Sequence, residues 1–530
     1  MADNSKKKNK TPQQRIQLEG EPSICSLKNL QVLLPQDIRD HLDGQDGTTT
    51  TTNGSKKMDQ ILEAMKIPPA ATVCRVNLIQ GTREEIQAEL EAELKRLDLQ
   101  DAFSVQPDSI LDDVLQVVAN TTETPTKNLH LAGPVEDPQA PLVFPTWPSR
   151  QTLGWPLKHR AVIVDRFCGE AVLRGSHIFV KGIMCADKGI QEGETIAVYA
   201  DVRSTISKNR RIKRGYFLEQ YRNRLCVYLG LGVAMFQRSD FFRLEKGVGI
   251  RMTPHARVGP MLPPISGILP SKVYFQNLPS VLVARALDPK PGHVIIDMCA
   301  APGGKTNHVA SLVRNNATIV ACDKSRKKMI AAQQMFRDMG ATCITALALN
   351  TTDCVVRDNN SEWQSVTNVL NAAQRAPDGL LDVTGFYPES FDRVLLDPPC
   401  SALGLRPKLQ VVHTKLAELQ DACAYQRKFI REAVQLLKPG GIMTYSTCTF
   451  NADENERMVR HILSEYETLE LLPVLGGENS SIALGQPGLA GMGLNDEERG
   501  YVRRFDPLPS EAGCDTIGFF VAKFRKRQVS

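Results

Sequence analysis

Residues Val294 to Thr306 read VIIDMCAAPGGKT, and this stretch decides the fold. Its first part, Val294–Met298, is a short apolar run of the kind that forms a strand buried on both faces. Ala300–Gly304 follows as a turn of small residues, and Thr306–Val313 as a helix. The unit recurs downstream as strand Ile319–Cys322, helix Arg326–Met339, strand Val394–Leu396, long helix Tyr425–Leu437 and strand Ile442–Ser446. Strands alternating with helices predict an α/β domain, a Rossmann-like parallel sheet over residues 251–530. Ligands of such a sheet sit beyond the carboxyl ends of its strands. Residues 357–390 and 476–499 interrupt the alternation and read as inserted loops, the second flexible and glycine-rich.

The turn narrows the choice of ligand. A phosphate-cradling loop needs a glycine where this chain has Cys299, and a G-x-G-x-x-G pattern is absent as well. Cys299, Ala300, Ala301, Pro302, Gly303 and Gly304 therefore form a turn whose backbone a ligand can approach closely. Asp323 ends the next strand, where a carboxylate accepts the hydroxyls of a ribose. An adenosine cofactor without a pyrophosphate suits both features, which points to S-adenosylmethionine.

The chain has 530 residues, 42% hydrophobic and 23% charged, ordinary values for a folded protein of several domains. Its longest apolar run, Cys226–Phe236, is too short and too interrupted by glycine to span a membrane. No apolar segment follows the basic N-terminus, so no secretory signal is read and a cytoplasmic protein with reduced cysteines is expected. The 13 cysteines lack any C-x₂₋₄-C spacing, so no metal is expected. Residues 1–56 read as a disordered basic leader with one apolar island, Ile24–Leu42. Residues 57–157 read as a small α+β unit, with strand Thr72–Val76 and helix Thr82–Leu97, followed by a proline-rich linker. Residues 158–250 read as a small β-rich barrel carrying 17 Lys and Arg against 9 Asp and Glu. That is a net charge of +8 in a chain whose total is +5. Arg203, Lys208, Arg210, Arg211, Lys213 and Arg214, interleaved with aromatics such as Tyr221, suit phosphate contact and base stacking.

Two further segments carry chemistry. Asp397–Ser401 (DPPCS) closes one strand and Ser446–Thr449 (STCT) another, so Cys400 and Cys448 converge on one rim of the sheet. Either cysteine alone reads as a small buried residue. Asp397 beside Cys400 favours a site, because a carboxylate accepts from an exocyclic amino group such as cytosine N4. DMCAAPGGKT, DPPCS and YSTCT, in this order and spacing, resemble the RNA (cytosine-5) methyltransferases of the Sun-domain family. Upstream, Val164–Ile183 (VDRFCGEAVLRGSHIFVKGI) is similar to the start of a PUA module. VGIRMTPH (Val248–His255) and FQNLPS (Phe275–Ser280) then lead into the catalytic domain, an arrangement that resembles tRNA-modifying members of the family.

The resemblance implies a monomeric enzyme that binds S-adenosylmethionine through Cys299 to Lys305, Asp323, Asn350 and Asp397. Its implied substrate is tRNA, at a cytosine beside the CCA end of the acceptor stem, with messenger RNA as a second class. Cytosine C5 is a poor nucleophile until a thiolate adds to C6. The resemblance gives that role to Cys448 and assistance in elimination to Cys400, with Asp397 and Lys305 on the ring edge. A cation such as Lys305 also favours a thiolate at Cys448. The chain departs from the family in having Asn350 where Asp is usual, and DPPCSA where DAPCSG is usual. Ala402 in place of glycine strains the loop if that position has positive φ. Other readings are an RNA-binding protein without catalysis and a methyltransferase of ribosomal RNA, messenger RNA or protein. Intact Cys400, Cys448, Asp397 and Lys305 weigh against the first, and two rim cysteines weigh against a protein substrate.

Overall fold

The computed structural model describes residues 23–25, 34, 36–44, 51–120, 159–202, 214–218, 225–257, 260–358, 362–409, 415–475, 484–508 and 515–528. The chain divides into two compact units. The first, built mainly from residues 177–258 and the segment before them, holds an eight-stranded mixed sheet. Strand Leu225–Ala234 lies between Val248–Arg257 and Thr195–Asp201, both antiparallel to it, and Arg160–Asp165 follows. Alternate residues point inward, as a period of two requires: Ala161 and Ile163 lie beside their register partners Ala197 and Tyr199 in one core cluster. VGIRMTPH is the closing strand of this sheet, not a lead into the catalytic part, because Met252, Arg251 and Ile250 pair with Gly232, Val233 and Ala234.

The second unit joins residues 31–125 to residues 259–530. Strands β1 (Thr72–Val76), β2 (Phe103–Pro107), β3 (Val114–Ala119) and β4 (Val273–Phe275) form a sheet in the order β4-β1-β3-β2. The strand that follows the first unit thus completes a sheet begun before it. Helix α1 (Arg83–Arg96) begins at a Thr82–Glu85 capping box and buries Ile86, Leu90 and Leu94, one stripe at i, i+4, i+8, against this sheet. Inside the expected leader, helix Gln36–Asp43 buries Ile38 and Leu42, and Arg39 pairs with Asp59 at 2.6 Å. The proline-rich linker lies outside the described residues.

The remaining elements are α2 (Leu278–Leu287), β5 (Val294–Asp297), α3 (Gly304–Leu312), β6 (Thr318–Cys322), α4 (Arg326–Asp338), β7 (Ile344–Leu347), β8 (Phe391–Leu396), α5 (Leu416–Leu436), β9 (Leu437–Thr447), α6 (Glu456–Glu465), β10 (Leu469–Leu472) and β11 (Phe519–Lys526). Their sheet runs β7-β6-β5-β8-β9-β11-β10, parallel from β7 to β9, with β11 antiparallel between β9 and β10. Ile296 of β5 pairs with Val320 of β6 on one side and Val394 of β8 on the other. The chain leaves β5 toward β6 and β7, then returns on the other side as β8 and β9. That reversal opens a crevice at the carboxyl end of β5. Helix α5 starts nine residues before its expected Tyr425. The polar residues in LAELQDACA hid the stripe that buries Leu419 and Cys423.

Residues 357–390 are more than a loop. Ser365 caps helix Val366–Ala372, and the short strands Gln374–Arg375 and Leu381–Asp382 extend the sheet beside β7. A bidentate Arg326–Asp378 pair fastens this hairpin to α4. The helix carries one buried residue, Val366, so tertiary contact rather than pattern fixes it. Within 476–499, Asn495 and Glu498 form a capping box that starts helix Asp496–Tyr501.

Buried polar groups weld the two sheets of this unit. Arg75 on β1 reaches Asn307 of α3 at 2.7 Å, and Asn77 donates to the carbonyl of Met339 at 2.7 Å. Asp113 is fully buried, 2.6 Å from His308 Nε2 and 2.7 Å from Arg285. Burial pushes the His308 imidazole down to about 4, so at pH 7 it is a neutral donor. Burial opposes the Asp113 carboxylate too, but His308 and Arg285 hold it well below the usual range. Truncating one member of such a buried set costs about 3 kcal/mol. Asp113→Ala should therefore lower the urea midpoint of the whole second unit in one transition. A separate early transition of residues 57–120 would contradict the shared core. The loop after β8 supplies a second prediction: Ala402 has φ +52°, a conformation costing an L-residue roughly 1 kcal/mol. Ala402→Gly should raise the urea midpoint, by less than that cost because glycine has the freer unfolded state.

Candidate active site

The loop after β5 is anchored from below by Asp297. Its carboxylate accepts the Thr306 hydroxyl at 2.6 Å and the Cys299 amide at 3.2 Å. Burial pushes Asp297 up to about 7, and those hydrogen bonds pull the other way. The Ala300 amide donates to Cys322 O at 2.8 Å and fixes the loop against the end of β6. Burial drives the thiol of Cys299 well above its ordinary pKa, which leaves it unreactive.

The two glycines are required by packing. Gly303 has φ +112°, and a Cβ there would lie 2.5 Å from Met335 and 2.7 Å from Phe336 on α4. A Cβ on Gly304 would lie 2.7 Å from the Tyr274 ring of β4. A side chain at either position would collide with the elements packed behind the loop.

Asp323 stands at the end of β6, partly exposed, with Oδ1 accepting the Ser325 amide at 2.8 Å. Among the described residues nothing bonds its Oδ2. Asn350 follows β7, is exposed, and accepts from the Thr352 hydroxyl at 3.1 Å. The loop, Asp323 and Asn350 thus leave three neighbouring strands at their carboxyl ends. This donor and acceptor set fits a nucleoside: a carboxylate oxygen for ribose hydroxyls and an amide for a base edge.

On the other side of β5, the loops after β8 and β9 bring the cysteines together. Cys400 Sγ lies 3.3 Å from Cys448 Sγ. Lys305, at the start of α3, crosses from the β5 side to donate to Asp397 Oδ2 at 2.6 Å, and Ser446 donates to Oδ1 at 2.6 Å. The Lys305 and Asp397 side chains are only 16% and 27% exposed. The hydrogen bond from Cys400 lowers the Cys448 thiol below its ordinary value, and Lys305 adds to this against burial and Asp397. Cys400 moves the other way, well above the ordinary range, through the same hydrogen bond, burial and the acids around it. Of the two thiols, Cys448 is therefore the easier to ionise and Cys400 the harder.

A polar network beneath the cysteines escaped the sequence reading. Ser401 Oγ donates to Thr449 Oγ1 at 2.8 Å. Glu454, fully buried, accepts from the Ser401 amide at 3.0 Å, Gln426 Nε2 at 2.8 Å and Asn451 Nδ2 at 3.1 Å. The one sequence signal was the run Glu454-Asn455-Glu456 opening an amphipathic helix soon after the STCT segment.

The expected nucleic-acid residues are a different matter. Arg203, Lys208, Arg210, Arg211, Lys213 and Tyr221 lie outside the described residues. Arg214 is a correction: it donates to the carbonyls of Val180, Phe241, Phe242 and Leu244, so its guanidinium fastens its own unit. Among the described residues no three His, Cys, Asp or Glu side chains gather as a metal site, and no helix is long and apolar enough to cross a membrane.

Comparison with known proteins bears on this arrangement. A family model described as 16S rRNA methyltransferase RsmB/F matches residues 284–525. The tRNA (cytosine(72)-C(5))-methyltransferase NSUN6 of Mus musculus is 34% identical over 499 residues, 89% of this chain and 90% of that protein. The tRNA (cytosine(72)-C(5))-methyltransferase of Pyrococcus horikoshii is 30% identical over 69% of this chain and 75% of its own length. A crystal structure of NSun6 from Pyrococcus horikoshii with SFG superposes with a TM-score of 0.61 at 25% identity, covering 93% of this chain and 99% of that one. The likeness reaches beyond the catalytic sheet to both units, and it assigns this chain to the RsmB/F, or Sun-domain, family of S-adenosylmethionine-dependent RNA (cytosine-5) methyltransferases.

Proposed function

We propose that the chain methylates a tRNA cytosine in the acceptor stem next to the CCA end, in the cytoplasm, with Cys448 as the attacking thiolate. The relatives named above act on cytosine 72 of tRNA, and the basic β-rich unit, residues 158–250, offers them a likeness of a PUA module for holding RNA. The observation that carries the chemistry is the cysteine pair, 3.3 Å apart, with Lys305 favouring the thiolate at Cys448.

Cys448 adds to C6 of a cytosine turned out of its stack, and the ring electrons make C5 nucleophilic. S-adenosylmethionine, held by Cys299–Pro302, Asp323 and Asn350, supplies the methyl group that C5 takes. Lys305 and Asp397 meet the ring edge, where the ammonium offsets charge developing on the ring and the carboxylate accepts from the exocyclic amine. Cys400 relays the proton lost from C5 to solvent, giving up its own as it takes this one, and the electrons of that C–H bond form the C5–C6 double bond and expel the Cys448 thiolate. Messenger RNA sites remain within the same chemistry, since only the single cytosine enters the crevice.

Incubating the enzyme with acceptor-stem tRNA and S-adenosylmethionine tests the roles. Cys400→Ala should accumulate a protein–RNA adduct stable on a denaturing gel, while Cys448→Ala should yield neither adduct nor product. An adduct in Cys448→Ala would reverse the assignment. The acid limb of the single-turnover rate should lie below the ordinary thiol range because the Cys448 thiolate is favoured. Removing a neighbouring cation raises a thiol's pKa, so Lys305→Met should move that limb to higher pH. An unmoved limb would sink the thiolate reading.

A further inference from the structure

We propose that Glu454 is a positioning residue for methyl transfer: it holds the Cys400 turn against Cys448 and, as a buried acid, disfavours a thiolate at Cys400. The inference rests on the reading of Cys448 as the thiolate. Geometry supports the first half. Glu454 Oε2 accepts the amide of Ser401, the residue after Cys400, at 3.0 Å. The Ser401 hydroxyl in turn donates to Thr449, the residue after Cys448, at 2.8 Å. The two sulfurs are therefore flanked by one short staple, and Glu454 is its fixed end. The carboxylate cannot swing away, because Gln426 of α5 and Asn451 also donate to it and the Tyr445 hydroxyl donates to its backbone carbonyl at 2.7 Å.

The second half follows from the charges around the pair. Facing Cys400 are Asp397 from its own loop, Cys448 and Tyr445 from β9 and its end, and Glu454 from the turn before α6. Cys423 on α5 faces Glu454 as well, and Asp453 is turned to His41 and Arg457. Lys305, the cation in this group, faces Cys448. Asp397 disfavours a thiolate at either sulfur, so the charges that distinguish the two are Glu454, which acts on Cys400, and Lys305, which acts on Cys448. A buried carboxylate disfavours a second anion beside it, so Glu454 makes Cys400 the harder of the two to ionise. Among the described residues, the three donors named above hold Glu454 in place of a cation.

Glu454→Gln keeps the shape and an acceptor for Ser401 while removing the charge. Cys400 ionisation is read from the pH dependence of its iodoacetamide alkylation, resolved by peptide mass spectrometry in a Cys448→Ser background. Adding Glu454→Gln should lower that midpoint by a pH unit or more, and Glu454→Asp should lower it by less. In the enzyme with both cysteines, Glu454→Gln should reduce the single-turnover rate by about a hundredfold, the scale of a 1 Å misplacement, with KM for RNA unchanged. Ser401→Ala should cost turnover without moving the midpoint. Urea midpoints establish that each variant is folded; should Glu454→Gln not fold, Glu454→Asp carries both readings. An unmoved alkylation midpoint or an unmoved rate overturns the proposal. The alkylation arm does not depend on which cysteine attacks RNA, whereas the adduct trap does, so the two readings fail separately.

Discussion

The Lys305–Asp397 ion pair is the contact on which the site depends. Lys305 starts a helix on the cofactor side of β5, and Asp397 ends the strand on the cysteine side, so one 2.6 Å contact spans the crevice. Mostly removed from water, such a pair is stabilising only when its remaining polar atoms are satisfied. Ser446 meets the second oxygen of Asp397, and Lys305 also acts on Cys448. The same cation therefore serves the loop geometry and favours ionisation of a thiol.

That contact is only as precise as the helix that carries Lys305. Helix α3 is held from outside the catalytic sheet, through Asn307 to Arg75 and through His308 to Asp113. The N-terminal layer is thus structural support for the active site, and its four strands close only because β4 returns after the first unit. The glycine pair of PGGKT belongs to the same joint, since Tyr274 of β4 and Phe336 of α4 fill the space a side chain would take. The first unit is inserted between β3 and β4, so the sheet is closed by strands from both sides of it.

Electrostatics in the cysteine pair is asymmetric by construction. Two identical thiols 3.3 Å apart acquire different proton affinities only from what surrounds them, here Lys305 near Cys448 and Glu454 near Cys400, with Asp397 acting on both. Both cysteines are half-buried, which reduces screening by water. Ala402, in a left-handed conformation two residues past Cys400, is a place where the loop carries strain instead of the usual glycine.

The sequence by itself determined the parallel sheet, the turn after β5, the convergence of Cys400 and Cys448, and the cofactor class. Apolar runs and small-residue turns are local patterns, and strand ends of a parallel sheet necessarily share one rim. Strand β1, helix α1 and strand β5 were legible for the same reason, to within a residue or so. Only tertiary structure decided that the N-terminal layer belongs to the catalytic unit, that Arg214 clamps carbonyls, and that residues 357–390 hold a helix and a sheet edge. Those outcomes depend on partners more than 25 positions away, such as Arg75 with Asn307 and Arg326 with Asp378. Glu454 was hidden for the same reason: a buried carboxylate draws its meaning from the donors that fold onto it, and neither its identity nor its spacing announces them.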